Sequence, residues 1–119
     1  LPQDVKIMRE ETQRISQVFL LTEEVKKQGG TEQDVYDINE QEFGQEAAQR
    51  LQVLEQQRQQ WQNRVNRFMV NKHSIEQDEN LSAAEKSRAI ENTRSTMFEQ
   101  TEYTKLSAYE LMYEEASAQ

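Results

Sequence analysis

The chain has 119 residues, 34% of them hydrophobic and 30% charged, which is about one domain's worth of sequence with too little apolar matter for an ordinary compact globule. Its net charge of −8 argues against nucleic acid and anionic membrane as partners, because affinity for a phosphate backbone comes from Lys and Arg displacing counterions; the acidity equally serves solubility. There is no cysteine, so disulfide and thiol chemistry are excluded and the compartment stays open.

Frequent Gln and Glu with only three Gly and one Pro predict an all-α, elongated helical array of about four helices. The first is predicted over residues 3–28. Val5, Met8, Ile15, Phe19 and Val25 fall near helical spacing, with Val18 and Leu21 widening the stripe. Pro2 suits a first turn, Asp4 meets the positive end of the helix dipole, and Lys26 and Lys27 meet the negative end. Gly29-Gly30 is a stop signal.

Thr31-Glu32-Gln33-Asp34 resembles a capping box and opens a second helix over 31–42. Gly44 ends it, and either the helix breaks there or another backbone approaches too closely for a side chain. The third helix is predicted over 45–76, since no breaker interrupts it. Its seam is Ala47, Leu51, Leu54, Arg58, Trp61, Val65, Phe68, Lys72 and Ile75, spaced as a heptad repeat. Arg58 and Lys72 interrupt this seam, so they either snorkel to its edge or meet acidic partners. Ser82-Ala83-Ala84-Glu85 is a capping box for a last helix over 83–115.

The short connection between the last two helices predicts a long antiparallel hairpin folded about residue 79. That register brings Phe68 to Ile90, Trp61 to Met97, Leu51 to Leu106 or Tyr109, and Arg58 to Glu99 or Glu102. The predicted core is Ala47, Leu51, Leu54, Trp61, Val65, Phe68, Ile90, Met97 and Phe98.

Little in the chain points to chemistry. His73 is the sole histidine, and a metal site needs several clustered ligands. The carboxylates are many and lie on solvated faces, whereas acid–base work needs one with a shifted pKa in a cleft. Nucleophile motifs and phosphate-cradling loops are missing. No catalytic residue, metal, cofactor or small-molecule substrate is expected. Tyr103, Tyr109 and Tyr113 suit a partner surface, being apolar with a polar tip, or else pack within the molecule.

One run is more specific. Phe43-Gly44-x-Glu46-Ala47-Ala48-x-Arg50-Leu51-x-x-Leu54, followed by Arg58, Trp61 and Arg64, resembles a signature of the bacterial lipase-specific foldases. Leu81-Ser82 and Glu85 resemble that family's next helix start, and Phe98, Glu102, Lys105-Leu106 and Glu110 its closing helix. Leu1-Pro2 and the Gly29-Gly30 turn also sit where the family would place them. Glu55 stands where the family often has Asp, Phe68 where Tyr is common, Asn39 where Arg is frequent, and Lys105 where Arg is usual. The family's activation motif, Arg-x-x-Phe-Asp-Tyr, is not in this chain.

The resemblance implies a steric chaperone that clasps a secreted lipase between two small helical domains joined by a helical arm. It implies residues 1–30 as the end of that arm and 31–119 as the C-terminal small domain. It implies a periplasmic protein held at the inner membrane by an N-terminal anchor outside this chain. The start at Leu1 rather than Met fits a processed or excised piece, and the longest apolar run, Val18 to Leu21, is far short of the roughly 20 residues that span a bilayer. The family-matching Arg50, Arg58 and Arg64, with Tyr103, Tyr109 and Tyr113, are the residues expected to touch the lipase; the arginines could equally form salt bridges within the molecule. The alternative is a structural or oligomerising helical scaffold with no lipase client, and self-association is compatible with either.

Overall fold

The computed structural model describes residues 2–118, so Leu1 of the resemblance lies outside the described residues. Among these the chain is all α-helical. The elements are α1 (Pro2–Lys27), α2 (Glu32–Phe43), α3 (Gln45–Glu76), α4 (Ala83–Met97), a 3-10 turn (Gln100–Glu102) and α5 (Tyr103–Ala118). None of these helices is long and apolar enough to cross a membrane.

The chain divides into two compact units, Leu1–Gln57 and Arg58–Gln119, with the division inside α3. In the first unit, α1 stops as its glycines demand. Gly30 N–H donates to Val25 O at 2.8 Å and Gly29 N–H to Lys26 O at 3.1 Å, the two bonds of a Schellman motif. Gly29 takes φ 86°, where an L side chain is strained. Thr31 then caps α2: its Oγ1 accepts from Asp34 N–H at 3.1 Å, and the Asp34 carboxylate accepts from Thr31 N–H at 2.8 Å.

Gly44 resolves the two readings left open by the sequence. It has φ 90° and ψ 167°, a region open essentially to Gly alone. A Cβ built there would meet nothing within 4 Å. The helix breaks for conformational reasons, and close packing plays no part. Gly44 N–H donates to Glu40 O at 2.9 Å, closing α2, while Gly44 O accepts from Ala48 N–H at 3.0 Å, opening α3.

The buried side chains of this unit are Val18, Thr22 and Ala48. Arg14 ties α1 to α2 by donating to Glu42 O and by lying over the Phe43 ring at 5.3 Å. Lys26 ties α1 to α3 through Glu55 at 3.5 Å. Leu51 and Leu54, expected in the core, are 39% and 59% exposed, and Ala47 is half-buried while its neighbour Ala48 is the buried alanine. Heptad spacing marks an apolar face; it does not supply a partner for it.

The second unit holds the hydrophobic core. Ser82 caps α4, its Oγ accepting from Glu85 N–H at 3.1 Å while Glu85 Oε1 accepts from Ser82 N–H at 2.9 Å. The single last helix expected over 83–115 is two helices. α4 ends at Met97, Phe98 is extended at φ −131° and ψ 149°, and the 3-10 turn leads into α5. The long hairpin expected from the sequence is replaced by α4 and α5 both closing on the second half of α3. Trp61, Val65 and Phe68 of α3 are buried with Phe98 and with Leu106 of α5; Ile90, Met97, Tyr103, Tyr109 and Tyr113 pack against them.

Two causes produce the break. Ser95 and Thr96 at the end of α4 are poor helix formers. The extended backbone at Phe98 also lets its ring meet Trp61 edge-to-face at 5.5 Å and Phe68 at 5.6 Å. Aromatic pairs of this geometry add about 0.5–1.5 kcal/mol each beyond the area they bury.

Candidate functional site

Arg64 sits where the break must be held. Its guanidinium takes the Glu102 carboxylate in a two-pronged grip, Nη1 to Oε1 at 3.0 Å and Nη2 to Oε2 at 2.7 Å. Nη1 also donates to Met97 O at 3.3 Å, one of the carbonyls that α4 leaves without a helical partner. The planar cation lies over Trp61 at 5.2 Å and over Phe98 at 5.0 Å, the stacking for which Arg is suited and Lys is not. Glu102 Oε1 reaches back to accept from Glu99 N–H at 3.0 Å, half of a capping box for the 3-10 turn. The Arg64 hydrogen bonds, reinforced by the Glu99 N–H, hold the Glu102 carboxyl below its ordinary pKa.

A second ionic centre ties the three helices together. Glu110 of α5 is 9% exposed. It meets Lys72 of α3 at 3.5 Å and Arg94 of α4 at 3.2 Å. Lys72 also meets Glu114 at 3.3 Å, and Arg94 meets Glu91 at 2.5 Å. Burial works to lower the Arg94 pKa, but hydrogen bonds and charge from Glu91 and Glu110 outweigh it and the net direction is up. Arg94 also covers the Phe68 ring at 5.5 Å. Lys72 thus meets acidic partners, one of the two alternatives its seam position left open.

The six residues expected to touch a partner divide by what surrounds them. Arg50 is exposed and pairs with Glu46 one turn away at 3.7 Å. Arg58 is exposed and is not without a partner. Arg64 is engaged within the second unit as described. Tyr109 packs edge-to-face on Trp61 at 5.7 Å. Tyr113 Oη donates to Asn66 and accepts from Gln62 Nε2 at 2.5 Å. Tyr103 is half-buried against the same core.

The expected register needs two corrections. Glu102, expected with Glu99 as an alternative partner of Arg58, pairs with Arg64, and Tyr109, expected with Leu106 as an alternative partner of Leu51, packs on Trp61. Both follow from reading an unbroken last helix: past the break at Phe98, α5 packs against residues 61–72 within its own unit. Glu110 and Lys105 were missed as organisers. Lys105 Nζ stands 4.2 Å from the centre of the Trp61 ring, so the indole is flanked by two cations. The sequence signal for Glu110 was its spacing of four from Leu106, which puts the two on one face of α5. No group of three or more metal-ligating side chains occurs among the described residues.

Taken together, these features define a helical module whose ionic groups hold helices to one another around an aromatic core. Residues 1–103 match the family described as proteobacterial lipase chaperone protein, and the chain belongs to that family. It is 32% identical over 109 residues to a lipase chaperone of Chromobacterium violaceum, covering 92% of this chain and 36% of that protein. It is 32% identical over 98 residues to a lipase chaperone of Acinetobacter baylyi, covering 82% and 28%, and 34% identical over 80 residues to one of Stutzerimonas stutzeri, covering 67% and 24%. The chain therefore spans between about a quarter and about a third of the length of these relatives. No solved structure matches it.

Proposed function

We propose that this chain is the lipase-binding, C-terminal part of a steric chaperone that helps a secreted lipase reach its active, secretion-competent fold. The family match over residues 1–103 carries the reading. Its named relatives are lipase chaperones, and the signature from Phe43 to Arg64 stands in this chain in unbroken register. The work of such a protein is differential binding: a surface that holds the barrier state of a folding client more tightly than its near-native start lowers the barrier. Residues 1–30 act as the end of a helical arm and 31–119 as a small helical domain. The protein works in the periplasm, tethered to the inner membrane by a segment outside this chain.

Arg50 and Arg58, exposed on α3, are the arginines we assign to the client. Arg64, Tyr103, Tyr109 and Tyr113 are engaged within the second unit, around its aromatic core. The test is calorimetric titration of the 119-residue chain with a secreted lipase from the same organism. Saturable binding without recovery of lipase activity is expected, with a double Arg50→Glu, Arg58→Glu variant that keeps its helicity but binds at least about tenfold more weakly, which is 1.4 kcal/mol. Absence of binding would sink the reading, and recovery of activity by this chain alone would sink its assignment as a binding part.

A further inference from the structure

The N-terminal three-quarters of α1 carries an apolar stripe that the first unit does not use. Val5, Met8, Ile15 and Phe19 are between 46% and 66% exposed. With Thr12 they run 5, 8, 12, 15, 19, alternating steps of three and four. That is the spacing of a two-stranded coiled-coil seam, in which side chains of one helix enter holes of four residues on the other. The α2 contacts fall on a different line of α1, through Arg14. Thr12 does not spoil the seam: its hydroxyl donates to Met8 O at 2.8 Å, leaving the methyl outward.

A shallow hollow of about 420 Å³ is lined by Val5, Met8, Arg9, Thr12 and Gln13. Residues 5, 8, 9 and 12 are the four that receive a Met8-position knob in a parallel, in-register pair, so the seam is complementary to itself. Met, unbranched and polarizable, fills such a gap readily. Charge selects the same arrangement. Asp4 and Arg9 flank the seam on opposite sides, and a parallel pairing sets Asp4 of one helix against Arg9 of the other at both ends of the two-fold. α1 itself is charge-balanced, with five acidic and five basic residues, so two copies meet without the repulsion that a net charge of −8 would otherwise impose.

We infer that this stripe is a docking surface for a second copy of the chain, forming a short parallel coiled coil over residues 4–20. This goes beyond the lipase-chaperone reading and stands independently of it. Sedimentation equilibrium of the 119-residue chain from micromolar to millimolar concentration is expected to show a monomer–dimer equilibrium. Met8→Glu, at an exposed position, keeps the helical circular dichroism and raises the dissociation constant at least about tenfold. Because the chain has no cysteine, Met8→Cys gives a single thiol that oxidises to a symmetric cross-link, while Glu10→Cys, on the opposite face, does not. A chain that stays monomeric, a dimer untouched by Met8→Glu, or cross-linking through Glu10→Cys in place of Met8→Cys would overturn the inference. It also falls if the chain alone is monomeric and a lipase shields the thiol of the Met8→Cys variant from a maleimide, because the stripe then belongs to the client.

Discussion

The two units treat their apolar side chains in opposite ways. The second unit buries Trp61, Val65, Phe68, Phe98 and Leu106 in one cluster, and leaves only Val70, Leu111 and Met112 exposed among its large described hydrophobics. Among its described residues the first unit buries only Val18 and Ala48 of its apolar side chains, and exposes Val5, Ile7, Met8, Ile15, Phe19, Leu20, Leu21, Leu51, Val53 and Leu54. Long helices carried by local signals, caps and glycines can form with few buried contacts, but most helical stability in proteins comes from packing an amphipathic face. The second unit meets that condition within itself. The first meets it only when something covers it, and anything that binds the folded form alone adds stability by mass action.

The largest effect separates the units outright. Phe68 is fully buried at the centre of the core. Phe68→Ala should cost about 3–5 kcal/mol, a large part of the about 5–15 kcal/mol that holds a domain folded. Phe19, 61% exposed, should cost less than about 0.5 kcal/mol when changed to Ala. Trp61, the sole tryptophan, lies in the second unit, so urea unfolding followed by its fluorescence reads that unit while circular dichroism reads both. A Phe19→Ala loss comparable to that of Phe68→Ala would show that the first unit is as self-sufficient as the second.

Much of this contrast was open to sequence reading, and the rest was not for definable reasons. The end of α1, both ends of α2 and the starts of α3 and α4 fell where Gly29-Gly30, Thr31, Gly44 and Ser82 placed them, because caps and glycines act through bonds within a few residues. The break at Phe98 carries no Gly or Pro. It is enforced from α3, by the Trp61 and Phe68 rings and by the Arg64 grip on Glu102 and Met97 O, and a partner distant in sequence leaves only a weak local trace in Ser95, Thr96 and Glu102. The exposed Leu51 and Leu54 fail for the converse reason, since their spacing was right and the covering helix was assumed. Of the candidate site, Arg50 and Arg58 stood out by the family signature. The cooperation of Glu110 with Lys72 and Arg94 depends on three helices meeting, which no spacing along one helix reveals.

An intermediate effect is expected in the first unit, where conformation counts for more than packing. Gly44→Ala places a side chain at φ 90° and ψ 167°, a strain of about 1–3 kcal/mol, although a Cβ meets nothing within 4 Å. The loss should appear in the circular dichroism transition of the first unit and leave the Trp61 fluorescence midpoint within about 0.5 kcal/mol of its original value. An equal shift in both signals would mean that the two units unfold as one, and the comparison would then describe packing density within a single cooperative body.

The smallest effect is a pH dependence confined to the second unit. Glu102 has its pKa lowered from 4.5, first by the Arg64 hydrogen bonds and then by the Glu99 N–H. A carboxylate whose folded pKa lies below its unfolded one contributes stability that is fully present above the unfolded value and is lost as pH falls through the folded value. Glu102→Gln should therefore unfold at lower urea than the parent at neutral pH, with the gap narrowing once the pH drops below about 4.5. Because Glu102 is partly exposed, with 27% of its side chain open to solvent, the neutral-pH gap should stay below that of Phe68→Ala. The Arg14–Glu42 pair of the first unit, 53% and 39% exposed at 3.8 Å, is an ion pair of the kind worth about 0–1 kcal/mol, and Glu42→Gln should leave the Trp61 midpoint unmoved at every pH. A Glu102→Gln gap that stays constant down to about pH 3 would show that the side chain acts through shape and its hydrogen bond to Glu99, and that its charge does not lock the break in α4 to Arg64.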